Sequence, residues 1–407
     1  MKTNHQYLLT IDLGKETSIA ILGRKDGTIL RGPWKFSHCF DDYQNLIKGL
    51  NPKEVLVGFE ATGHYWLSLY EFLAQKGFEQ VLLNPLEVKS FRDSGIRGSK
   101  TDKLDAKLIF KILLYSDRPL ILERYPEKII ELRNLCRLRH KLSQQKTTST
   151  NKLISILDMV FPEYQRILSP KRLASLNLLK RCSSPEKIAT LSLPKLTKIL
   201  SQGSKGKGRP EDWAKKLKKE AGQSIGIKIG LNTFSLEMKI IIQRINQTVK
   251  QIKLLDKEIK KIFSELPEKK YLCSIPGINE ILGAMILAEI GNISKFIAKD
   301  GADKLVALAG LDGRIKESGK SAGKVKISKR GSPDLRWALW QAATVAARSD
   351  SIFKEIYLKH RRKNKHHYVC ISYVAKKLAR VVYSVLANKK PYQPALSPNH
   401  QVLTDSI

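Results

Sequence analysis

Apolar and polar positions change rhythm twice along this chain. Over its first eighty residues, short apolar runs alternate with turn signals. YLLTIDL (7–13) and TSIAILG (17–23) read as strands, with TILRGPWKF (28–36) as a third, and Lys25-Asp26-Gly27 marks a hairpin reversal. Residues 40–50 carry helical spacing. EVLVGFE (54–60) is a short buried strand, HYWLSLYEFLAQKG (64–77) an amphipathic helix closed by Gly77, and QVLLNP (80–85) a strand stopped by Pro85. A further helix is predicted over 102–115. Strands followed by alternating strands and helices predict an α/β domain over residues 1–125.

From Glu127 the period becomes helical. Leu132, Leu135, Leu142, Leu153, Ile156 and Val160 keep three-four spacing, short helices follow over 165–200, and SQGSKGKGRPED (201–212) reads as a breaker loop. A long helix is predicted over 235–266. Met238, Ile242, Ile245, Val249, Ile252, Ile259 and Phe263 occupy its heptad positions, with Asp256 the one polar member. The seam has two readings: a coiled coil between protomers, or a hairpin folded back on 127–160. Residues 126–268 are thus a helical linker with an insertion and a coiled coil. Residues 269–392 form a compact, mostly helical C-terminal domain, and 393–407 a tail.

Within that last domain LCSIPGINEILGAMILAEIG (272–291) has helix-hairpin-helix form. Gly277 lies in its turn, where backbone N–H groups at a helix start can hold a phosphate; an ordinary helical turn fits equally well. Ser332 and Pro333 suit the N-cap and first position of a helix over 333–348.

Charge sharpens the partition. Net charge is +35, yet residues 1–125 hold 18 basic and 15 acidic residues, so nearly all of the excess lies beyond them. Such an excess favours a polyanionic partner, nucleic acid first. Five cysteines without a CxxC pair argue against a disulfide scaffold or a cysteine-based zinc site and fit a reducing cytoplasm. No secretory signal and no transmembrane helix are expected.

Two groups of residues carry candidate chemistry. Asp12 and Glu60 each end a predicted strand, and Asp102 and Asp105 share one face of a helix start. Converging carboxylates repel one another unless cations neutralise them, and hard oxygen ligands select Mg²⁺ or Mn²⁺. A solvated helix face explains Asp102 and Asp105 as well. The second group is RIKESGKSAGKVKISKRGS (314–332), with seven Lys and Arg. Its Gly319-Lys320-Ser321 is a near miss for a P-loop: five residues, not four, separate Gly313 from Gly319. Lys316, Lys320, Lys324, Lys326, Lys329, Arg330 and Arg336 read instead as phosphate contacts. Ser318, Ser321, Ser328 and Ser332 are all candidate nucleophiles, and residue chemistry alone does not rank them.

TIDLGKETSIAIL, GFEATGHYW and GIRGSKTDKLDAKLI, with PGI, ALAGL, ESG and ISKRGSPDLRWAL further on, resemble the DEDD-type insertion-sequence transposases, the bridge-RNA-guided recombinase group. The resemblance covers about 5–160 and 231–392. It implies an N-terminal ribonuclease H-like domain similar to the Holliday-junction resolvase RuvC, with an acidic, metal-holding tetrad at Asp12, Glu60, Asp102 and Asp105. It makes Ser318, in the Ser-Gly pair, the nucleophile of a covalent phosphoserine intermediate. DNA, a guide noncoding RNA and a homodimer or homotetramer follow as expected partners, in a bacterial or archaeal cytoplasm. The competing expectation is a RuvC-like nuclease that cuts with water and forms no adduct; a non-catalytic nucleic-acid-binding protein is the third.

Overall fold

A computed structural model describes residues 5–60, 65–83, 88, 102–115, 126–204, 208–297, 300–314, 317–318, 321–322 and 326–394. The chain divides into two compact units, Met1–Arg124 and Tyr125–Ile407.

In the first unit β1 (Tyr7–Asp12), β2 (Thr17–Arg24), β3 (Ile29–Ser37), β4 (Val55–Glu60) and β5 (Glu79–Leu83) form one mixed sheet in the order β3-β2-β1-β4-β5. The β1–β2 and β2–β3 pairs are antiparallel; β1–β4 and β4–β5 are parallel. The apolar runs of β1 and β4 are explained by cover on both faces. Leu9, Ile11, Val57 and Phe59 share a core with Tyr43 and Leu46 of α1 (Phe40–Ile47) and Leu69 of α2 (Trp66–Gln75). Leu8, Ile21, Leu56 and Val81 point the other way, onto Ala106, Ile109, Phe110 and Leu113 of α3 (Asp102–Tyr115). Gly58 lets α3 approach, since a Cβ there would lie 1.9 Å from Leu113 Cδ1.

The second unit is built on two 34-residue helices, α4 (Glu127–Val160) and α10 (Leu231–Ser264), packed along each other. The seam of α10 is therefore closed within the chain. Met238, Ile242 and Ile245 meet Leu153, Ile156 and Leu157, and Ile259 and Phe263 meet Leu132 and Cys136. Asp256, the polar heptad member, accepts a hydrogen bond from Arg139 Nε at 2.6 Å, which fixes the register of the two helices.

At the tip, α5 (Tyr164–Ile167), α6 (Leu173–Arg181), α7 (Pro185–Ala189), α8 (Leu193–Ser204) and α9 (Pro210–Gly222) enclose a core of their own. Here the sequence reading needs correction: residues 201–204 are the last turn of α8, not a loop. Gly203 is a packing glycine, because a Cβ there would lie 2.3 Å from Ala174 Cα on α6. At the base, the hairpin joins α11 (Glu268–Leu272), α12 (Glu280–Ile290), α13 (Gly301–Leu308), α14 (Pro333–Ser349), α15 (Ser351–Arg361) and α16 (His367–Asn388) in a second core. Between the two cores the hairpin has a polar waist, a cleft of about 630 Å³ lined by Lys141, Gln144, Gln145, Arg244, Gln247 and Gln251 among others. Among the described residues no helix is long and apolar enough to cross a membrane.

Candidate acidic site and basic loop

Asp12 is the last residue of β1 and Glu60 the last of β4. The two strands run parallel with Ile11 opposite Phe59, so the carboxylates stand one step further, at the same end of neighbouring strands. Strand alternation turns both toward the face of Leu8 and Leu56, which α3 covers. Helix α3 runs back along that face. Leu114 reaches toward Gly27 at the β2–β3 turn, and a Cβ at Gly23 would lie 2.5 Å from the Phe110 ring. Its first turn, with Asp102 in front and buried Asp105 behind, therefore heads toward the end of the sheet that holds Asp12 and Glu60.

The turn after Asp12 is pinned by groups that no sequence signal marked. Ser18 Oγ accepts from the Gly14 N–H at 3.3 Å. His38 places Nε2 2.9 Å from the Gly14 carbonyl and Nδ1 2.9 Å from Tyr43 Oη.

By type, four carboxylates suit a hard divalent cation. The Asp102 side chain lies outside the described residues. Among the described residues no group of three or more His, Cys, Asp or Glu side chains is assembled to hold a metal ion.

In the second unit the basic segment is a narrow hairpin. Its stem pairs β6 (Gly313–Arg314) with β9 (Lys326–Ile327), and beyond it β7 (Glu317–Ser318) pairs with β8 (Ser321–Ala322), setting Ser318 opposite Ser321. Lys316, Lys320 and Lys324, and the side chains of Ser318 and Lys326, lie outside the described residues.

The foot of the hairpin is fully described. Ser328 N–H donates to the Asp312 carbonyl (2.9 Å), Lys329 N–H to Gly310 (3.1 Å) and Ser332 N–H to Leu308 (2.7 Å). Two of the four candidate serines have structural partners here. Ser328 donates its hydroxyl to the Asp312 carboxylate. Ser332 caps α14 by accepting from Leu335 N–H at 3.1 Å, as expected. Lys329, in the left-handed region at φ 55°, and Arg330 are exposed, as phosphate contacts must be. Arg336 is turned inward by a bond from Nη1 to the Ala309 carbonyl at 3.0 Å. Gly277, at φ 86°, lies where a Cβ would come 2.3 Å from the Ala342 carbonyl, so close packing against α14 already requires glycine.

Glu289 is the residue that sequence reasoning missed. It is buried on α12 and receives two bonds from Arg137 of α4, at 2.7 and 2.9 Å, and one from Ser332 Oγ at 2.8 Å. Burial pushes its pKa up, but the hydrogen bonds and charge of Arg137, helped by Ser332, leave it below the ordinary carboxylate range. Beside it His140 Nδ1 lies 2.6 Å from Asp334 and its ring stacks on Trp337 at 4.2 Å. The foot of the basic hairpin is thereby fastened to α4. The available signal was a single charge inside the apolar run 281–290, which must find a partner when buried.

A strand-end carboxylate pair on the face covered by a helix with an acidic start, on a chain whose other unit is strongly basic, fits a nucleic-acid-processing protein. Comparison with known proteins narrows the class. A transposase family of the DEDD, IS110 type matches residues 9–162, and the transposase IS116/IS110/IS902 family matches residues 269–358. A protein of insertion element IS116 from Streptomyces clavuligerus is 25% identical over 97% of this chain and 98% of its own length. One of insertion element IS110 from Streptomyces coelicolor is 22% identical over 78% of each chain. One of IS900 from Mycobacterium paratuberculosis is 29% identical over 36% of this chain and 38% of its own. The chain belongs to the DEDD-type insertion-sequence transposases and is a DNA transposase.

Proposed function

We propose that this transposase cuts and rejoins DNA through Ser318, with Asp12, Glu60, Asp102 and Asp105 as a tetrad that holds Mg²⁺ or Mn²⁺. The observation that carries the acidic half is the pairing of Asp12 and Glu60 at adjacent strand ends, facing the acidic start of α3. The strand order, with three antiparallel strands continued by two parallel ones, supports reading this unit as a ribonuclease H-like, RuvC-like domain. A divalent cation bound there supplies charge neutralisation for phosphodiester chemistry.

For Ser318 the support is its place in the Ser-Gly pair that resembles the family and its seat near the end of a basic hairpin on a fastened foot. Its oxygen bonds to the phosphorus and loses its proton. The sugar oxygen leaves as a hydroxyl, and the phosphoserine ester keeps the bond energy for rejoining by another strand's hydroxyl. Lys329 and Arg330 contact the phosphates, joined by Lys316, Lys320, Lys324 and Lys326. A noncoding RNA guides the choice of site, two or four protomers assemble on the DNA, and the work is done in the cytoplasm on nucleoid DNA.

The test is a nicked suicide DNA substrate. A covalent protein–DNA adduct is expected from the wild type and absent from both Ser318→Ala and Asp12→Ala. An adduct that survives Ser318→Ala refutes the serine assignment. Breaks that persist in Ser318→Ala but vanish in Asp12→Ala identify a nuclease that cuts with water.

A further inference from the structure

The last two helices carry a surface that neither the acidic tetrad nor the Ser318 hairpin uses. From residue 356 to 394 the chain has no Asp or Glu and holds ten Lys and Arg. Five of these, Lys359, Arg361, Arg362, Lys363 and Lys365, crowd the end of α15 and the turn into α16. That turn is held in shape. Asn364 takes the left-handed region at φ 52°, its N–H donates to the Arg361 carbonyl, and Arg361 Nη1 donates to the Lys365 carbonyl at 2.8 Å.

Aromatic rings stand among these cations. Tyr368 is 61% exposed, with His366 5.1 Å, His367 5.6 Å and Trp340 5.7 Å from its ring centre. Nearby, His360 stacks on Tyr373 at 3.6 Å and 10°, with Lys365 Nζ 4.4 Å from the Tyr373 ring centre. Burial, then the charges of Lys365, Lys363 and Lys359, lower the pKa of His360, so its ring stacks as a neutral aromatic. Trp340 lies four residues beyond Arg336 on α14, one turn along the helix whose N-cap closes the basic hairpin. The aromatic surface therefore continues the face on which that hairpin stands.

Cations alone would serve any nucleic-acid backbone. Exposed rings are different: in a duplex the bases already stack on each other, whereas unpaired bases stack on protein rings with little regard for sequence. We infer that Tyr368, with His366, Trp340, Arg361, Arg362 and Lys363, binds an unpaired DNA strand, its bases on the rings and its phosphates on the cations. The inference rests on the proposed function for the strand being DNA. The surface itself stands on the ring and charge geometry.

The test is fluorescence anisotropy of a labelled oligo-dT and of a random duplex with the full-length Ser318→Ala protein, which separates binding from chemistry. Adding Tyr368→Ala is expected to weaken oligo-dT binding about fivefold or more, the low end for losing one stacked base. Tyr368→Phe is expected to restore it, and duplex binding to change less than about twofold. Adding Arg362→Ala is expected to flatten the salt dependence of oligo-dT binding. Unchanged oligo-dT binding in Tyr368→Ala, or equal losses in Tyr368→Ala and Tyr368→Phe, overturns the stacking role. Tighter, Tyr368-dependent binding of oligo-rU overturns DNA as the occupant. Anisotropy on oligo-dT reads binding whether or not an adduct forms, so a failed suicide-substrate test and a failure of this inference are told apart.

Discussion

Replacing Glu289 with alanine removes the acceptor that joins α12, the cap of α14 and α4. The carboxylate takes two bonds from Arg137 and one from Ser332, and bonds to charged groups contribute about 1.5–3 kcal/mol each. The sum is discounted because the Arg137 side chain is 51% exposed and rehydrates when released. Breaking a fully buried pair costs about 3–5 kcal/mol; here about 2–3 kcal/mol is expected. For a unit of this size that lowers Tm by roughly 3–5 °C. The pH dependence follows from the lowered pKa of Glu289. A group whose folded pKa is depressed adds stability that is present above its unfolded pKa and lost as pH falls through the folded value. The gap between wild type and variant should therefore be flat from neutral pH down to about pH 5 and close below it. Thermal melts of the full chain across pH 3.5–8 (a range set by ordinary carboxylate titration) read both effects. A Tm loss below about 1 °C at neutral pH, or a gap that widens in acid, would mean that the Glu289 contacts do not stabilise the fold.

Gly277→Ala should lower Tm through strain at φ 86° and the clash with the Ala342 carbonyl, by more than about 1 kcal/mol; undiminished stability with lost DNA binding would assign the turn to phosphate instead. A double-mutant cycle of Arg139→Ala and Asp256→Ala should give a coupling of about 0.5–3 kcal/mol in urea melts, and additivity would remove the register role of this 2.6 Å pair. Burial pushes the Cys136 thiol up to about 12, so at pH 8 it should resist iodoacetamide until the chain unfolds, while exposed Cys39 is alkylated in the native state, as peptide mass mapping would show.

Local signals carried most of the fold. The short apolar runs of β1 and β4 and the helix read over 102–115 gave elements within a residue or two of those found, because the strands are covered on both faces and the helix buries an apolar face of its own. Asp12 and Glu60 were legible as strand ends. That they share a face and an end needed the parallel β1–β4 pairing, which joins residues nearly fifty positions apart. The heptad of α10 showed a seam and left its partner open, and only α4 settles it. Gly203 misled because a packing glycine and a breaking glycine look alike until the facing helix is known. Glu289 and Arg137 lie 152 positions apart, on helices whose own periodicities are undisturbed by the contact.

The helical hairpin of the second unit is anchored at both ends by separate cores, with a cleft lined by polar side chains between them at the waist. The lower core does not depend on how the chain turns round at the top. Residues 164–230 are thus a place where length can be gained or shed in evolution. A chain that crosses directly from α4 to α10 at the waist would lose a module and keep the base on which the basic hairpin stands.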